Sequence, residues 1–80
     1  MVRIENTKES TARIEAALYS AGRPLRIEDI IRASGTESKT KTLELLNEII
    51  KKTKNAFIAL EIAILPDGTY VMQLKPEYSS

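Results

Sequence analysis

From Ser10 onward the apolar residues Ile14, Ala17, Leu18 and Ala21 recur at steps of three and four, which places them on one face of a helix. Ser10 or Thr11 can cap its start. Gly22 followed by Pro24 is a helix stop whose glycine accepts a left-handed turn. The pattern predicts a first helix over Thr7 to Ala21, ahead of which residues 1–8, alternating in charge with only Val2 and Ile4 apolar, read as a loose arm. Leu25 and Ile27 form a short extended step. Glu28 to Ser34 predicts a brief second helix that buries Ile27, Ile30 and Ile31 and is closed by Gly35. Thr36 or Ser38 can cap a third helix ending near Asn55, in which Leu43, Leu46, Ile50 and Thr53 form a stripe widened by Leu45 and Ile49.

After the third helix the period changes from helical to two. Ile58 to Ile64 and Tyr70 to Leu74 flank Pro66-Asp67-Gly68, which suits a three-residue hairpin loop with glycine at the left-handed position. That loop sets Ile64 opposite Tyr70, Ile62 opposite Met72 and Leu60 opposite Leu74. All six then share one face, which must be the core. The other face carries Phe57, Ala59, Glu61 and Ala63 on one strand and Val71 and Gln73 on the other, a small and mixed surface that suits either solvent or a partner. Three helices followed by a hairpin predict an α+β fold, a winged helix-turn-helix whose wing is the C-terminal β-hairpin. It occupies residues 9–80 as one domain.

Composition narrows the function. The chain has 80 residues, no cysteine and no histidine, which removes disulfides, thiol chemistry and imidazole-based metal or general-base sites. Glu28 and Asp29 are adjacent carboxylates, but neighbours on a helix point about 100° apart, and their expected role is to offset the positive end of the second helix. Ser20, Ser34 and Ser38 have no base to activate them, and there is no glycine-rich phosphate loop. No catalytic, cofactor-binding or metal residues are therefore assigned and no cofactor is expected. The expectation is a protein that is not an enzyme. The apolar runs are too short to span a bilayer and the start of the chain has no signal-peptide core, so no membrane partner and a cytoplasmic location are expected. Tyr19 and Tyr70 read as packing residues.

Nucleic acid is the usual partner of this fold, and the charges argue against it. The formal net charge is only +1, from 12 basic and 11 acidic residues. Glu37, Glu44 and Glu48 interrupt the lysines of the third helix. Its first turns offer Lys39, Lys41 and the hydroxyls of Ser38, Thr40 and Thr42, with no arginine, asparagine or glutamine for a bidentate base contact. The wing tip holds Asp67 and no basic residue. Lys39 and Lys41, with Arg3 or Lys8 of the arm, remain weak candidates for nonspecific DNA contact, and a winged-helix DNA-binding transcription regulator stays open as the alternative.

Three segments carry a family resemblance. Ile14-Glu15-Ala16-Ala17-Leu18-Tyr19-Ser20-Ala21-Gly22-Arg23-Pro24-Leu25, then Ile30-Ile31 with the leucines of the third helix, and most specifically Tyr70-x-Met72-Gln73-x-Lys75-Pro76-Glu77-Tyr78 resemble the amino-terminal winged-helix domain of the segregation and condensation protein B family. The resemblance implies a non-enzymatic accessory subunit of a chromosome-condensing complex, associated with the nucleoid. It also implies a first domain that dimerises, and a second that binds the kleisin subunit bridging the condensing ATPase. The chain ends at Ser80, where that second domain would begin, so the expectation is a shortened form or a solitary domain, with kleisin binding in doubt for these residues. The surface assigned to a homodimer is Phe57, Ala59, Ala63 and Val71, with Val2 and Ile4 of the arm.

Overall fold

The computed structural model describes residues 7–78. Helices α1 (Thr7–Ala21), α2 (Ile27–Ser34) and α3 (Lys39–Ala56) precede strands β1 (Leu60–Ile64) and β2 (Tyr70–Leu74), and a short 3-10 turn, Pro76–Tyr78, follows. This is the winged helix expected from the periodicity. α1 has the predicted bounds, so Thr7 and Lys8, also counted in the arm, belong to the helix. Ser10 does not cap that helix: it lies four residues before Ile14 and eight before Leu18, so it shares their stripe and is buried with them.

The other helix ends use local chemistry. Gly22 and Gly35 take positive φ of 64° and 77°, and the Gly35 amide donates to the Ile31 carbonyl to close α2. At the start of α2, Asp29 accepts the Arg26 amide at 3.2 Å and the Arg32 guanidinium at 2.6 Å, so it satisfies an orphan donor where negative charge is favoured. Ser38 caps α3 by accepting the Lys41 amide at 3.2 Å. Thr36 does not cap; it sits between the helices in a hydroxyl cluster. Its Oγ1 is 2.9 Å from Thr42 Oγ1, and Ser34 Oγ is 3.2 Å from both. Glu37, in the same turn, has φ of 59°, a left-handed conformation that is strained for a residue with a Cβ.

Ile14, Leu18, Leu25, Ile30, Leu45, Leu46, Ile49 and Ile62 form the buried core, with Ile27, Ile50, Tyr70 and Met72 packed against it. The stripe on α3 is rotated from the one the sequence suggested. Thr42 and Thr53 are buried with Leu45, Leu46 and Ile49, while Leu43 and Ile50 are only half-buried. Thr42 can enter the core because its hydroxyl has partners there.

The strands pair antiparallel in the expected register, Leu60 with Leu74, Ile62 with Met72 and Ile64 with Tyr70. In the loop the Leu65 amide donates to the Thr69 carbonyl and the Gly68 amide to the Leu65 carbonyl, with Gly68 at φ 86°. Only the middle of the inner face is core. Ile62 is 6% exposed, whereas Ile64 and Leu74, at opposite ends of the face, are 59% and 47% exposed because the hairpin outreaches the helices beneath it. β1 is shorter than the run from Ile58. Phe57 ends α3 by donating its amide to Thr53, and the chain straightens into the strand only at Leu60.

Candidate interaction surfaces

Phe57 shows how the fold divides the residues assigned to a partner surface. Strand alternation from β1 would put it on the outer face with Ala59 and Ala63, but the chain leaves strand geometry before reaching it. Phe57 instead lines a groove of about 490 Å³ with Ala12, Glu15, Ala16 and Tyr19 of α1, Thr53 of α3, and Leu60 and Met72 from the inner face of the hairpin. Glu15 is the one charged side chain in this lining. Phe57 is 48% exposed and Tyr19 is 78% exposed, so the groove presents aromatic surface to solvent. Tyr19, expected as a packing residue, lies mostly in solvent at the groove. It follows Leu18 by one residue, about 100° around the helix, and so belongs to the face of α1 that carries Glu15 and Ala16.

Ala63 and Val71 stay together on the outer face of the hairpin, directly opposite each other, while Ala59 precedes β1 and accepts the Lys75 amide. Glu61 lies between the two alanines and accepts a hydrogen bond from Gln73 Nε2 at 3.1 Å, so the one charge on this face of β1 is engaged within the hairpin. The sequence thus assigned to one patch what the structure presents as two, the groove and the outer face. Val2 and Ile4 lie outside the described residues.

The start of α3 offers less to nucleic acid than its composition suggested. Lys39, Thr40 and Lys41 are exposed, but Thr42 is fully buried in the hydroxyl cluster and the Ser38 hydroxyl is committed to its cap. At the wing tip, Asp67 accepts from the Thr69 hydroxyl at 2.6 Å and from the Thr69 amide at 3.0 Å. The hydroxyl first, and the amide after it, hold the Asp67 carboxyl below the usual carboxylate range. The tip therefore carries a stabilised negative charge, which repels phosphate.

Among the described residues no three carboxylates, cysteines or histidines lie close enough to hold a metal ion, and no helix is long and apolar enough to cross a membrane. The feature that sequence reading missed is the groove. Its signal was present in Ala12, Ala16 and Tyr19, an unpolar strip on the solvent side of α1 opposite Ile14 and Leu18.

A family profile described as "Segregation and condensation complex subunit ScpB" matches residues 12–80. Among solved structures, a conserved hypothetical protein from Chlorobium tepidum is similar, with a TM-score of 0.73 over 94% of this chain at 16% identity. At that identity the likeness is one of fold. The chain spans 46% of that protein, less than half its length. No curated protein sequence matches the chain significantly.

Proposed function

The chain belongs to the segregation and condensation complex subunit ScpB family, and from that premise we propose that it is a non-enzymatic interaction module whose direct activity is self-association. The observation that supports this most is the distribution of apolar surface. Tyr19 and Phe57 open onto a groove lined mostly by apolar side chains, and Ile58, ahead of β1, and Ile64, at its end, are 78% and 59% exposed. Scattered apolar residues are ordinary on a protein surface; Tyr19 and Phe57 gathered at one groove, in a domain whose wing tip is acidic, suit a protein partner better than phosphate. In this reading the kleisin subunit and the condensing ATPase are partners of the whole protein, reached through the assembly that this domain helps to build. The role places the protein in the cytoplasm, beside the nucleoid.

Sedimentation equilibrium tests the reading. A homodimer is expected at micromolar concentration. A protein that stays monomeric at about 100 µM, a limit near 5.5 kcal/mol, overturns it.

A further inference from the structure

The outer edge of β1 is the one long run of strand backbone without a neighbour among the described residues. The Lys75 amide donates to the Ala59 carbonyl and the Leu65 amide to the Thr69 carbonyl, which fixes the odd positions of β1 as those bonded to β2. The backbone groups of Leu60, Ile62 and Ile64 therefore point the other way. On β2 the same parity turns Tyr70 away from β1, and there it exchanges both backbone bonds with Leu25. One edge of the hairpin is thus partly covered and the other is open. β1 is short and carries one charge, Glu61, but lacks the other usual protections of an open edge. It contains no lysine and no proline, and it pairs with β2 one to one without a bulge.

We propose that this edge is where two copies of the chain meet, β1 against β1 across a two-fold axis at Ile62, forming a continuous four-stranded sheet. The proposal rests on the self-association reading above and supplies its geometry. Backbone parity requires even-numbered residues of one copy to face even-numbered residues of the other, which leaves few antiparallel registers. One of them sets Glu61 against its own symmetry mate, and like charges directly opposite are destabilising. The register centred on Ile62 avoids this and matches all five residues of each strand. Leu60 then faces Ile64 of the second copy, Ile62 faces Ile62, and Glu61 faces Ala63. Each of the even pairs exchanges two backbone bonds, and the exposed Ile64 gains an apolar neighbour on the inner face.

The Glu61–Ala63 juxtaposition gives a test of sign. In this register Ala63→Lys sets an ammonium opposite the second copy's Glu61 carboxylate, twice per dimer, and Ala63→Glu sets a carboxylate there. The lysine variant is expected to tighten the dimer and the glutamate variant to loosen it, each by roughly 2- to 30-fold in Kd from two cross-strand pairs. Amide hydrogen exchange of the parent chain, read residue by residue at dilute and concentrated conditions, gives the second readout. The amides of Leu60, Ile62 and Ile64 are expected to gain protection as the dimer forms, while those of Glu61 and Ala63 are protected throughout. A dimer that leaves the three even amides unprotected, or that both Ala63 variants weaken alike, overturns the edge pairing and leaves self-association intact. A parent chain monomeric at about 100 µM overturns both.

Discussion

Leu25 and Tyr70 exchange two backbone hydrogen bonds, each 2.8 Å, and so tie the step between α1 and α2 to the second strand of the wing. Leu25 is also a member of the buried core, so the wing becomes part of the body of the domain. The packing of the hairpin is thus a property of the whole domain, and it can be tested at Ile62. Ile62→Ala removes a branched side chain that is 6% exposed and faces Met72, and is expected to cost about 2 to 5 kcal/mol in urea melts. Glu61→Ala, on the other face, loses one partly exposed hydrogen bond and is expected to stay within about 0.5 kcal/mol. Equal losses from the two variants would contradict the assignment of faces.

The hydroxyl cluster predicts a cost for a change that looks conservative. Thr42→Val keeps the shape of the side chain but leaves Ser34 and Thr36 each short of a partner in a buried site, for an expected loss of about 1 to 3 kcal/mol. Thr40→Val, two residues earlier and exposed, is the control and is expected to be nearly silent. If the two variants melt alike, the cluster contributes nothing to stability.

Two left-handed residues flank the same cluster and predict opposite signs. Gly35→Ala places a Cβ at φ 77° and is expected to destabilise by about 1 to 2 kcal/mol. Glu37→Gly relieves the same strain at φ 59°, where the side chain is exposed, and is expected to stabilise by a few tenths to about 1 kcal/mol after the entropy lost by glycine. Thermal midpoints of the two variants should fall on either side of the parent.

Asp67 predicts a pH response confined to the wing tip. Its carboxyl is depressed in the folded chain, so its contribution to stability is fully present above its unfolded pKa, near 4, and is lost as pH falls through the lower folded value. The chemical shift of the Thr69 amide should follow this titration. In Asp67→Asn it should not move across the same range; a Thr69 shift that persists would assign the titration to another group.

For DNA, weak and salt-sensitive affinity without sequence preference is expected, because Lys39 and Lys41 are the exposed cations at the start of α3 and the tip is acidic. Tight, discriminating binding at physiological salt in a gel-shift titration would instead favour a transcription regulator.

The elements were legible in the sequence because their signals are local. Gly22 and Gly35 mark two helix ends, and Pro66-Asp67-Gly68 sets the strand register that Ile62 and Met72 adopt. The candidate surface was only partly legible. Phe57 could not be placed by counting alternate residues, since alternation holds only while the chain is a strand, and residues 57–59 are the turn out of α3. Thr42 read as a surface hydroxyl because burial of a threonine depends on partners from another helix, here Ser34, that no single-segment pattern contains. Tyr19 failed for a simpler reason. An aromatic ring suggests burial by its chemistry, but its angular position on α1 decided the outcome.

Lys75 grips the end of α3 from two directions, its amide bonded to the Ala59 carbonyl at 2.6 Å and its ammonium to the Phe57 carbonyl at 3.2 Å. Residues 57–59 would otherwise be a hinge. With both bonds in place, the turn out of α3 is fastened to the residue that follows β2, so the two ends of the hairpin close on the same three residues.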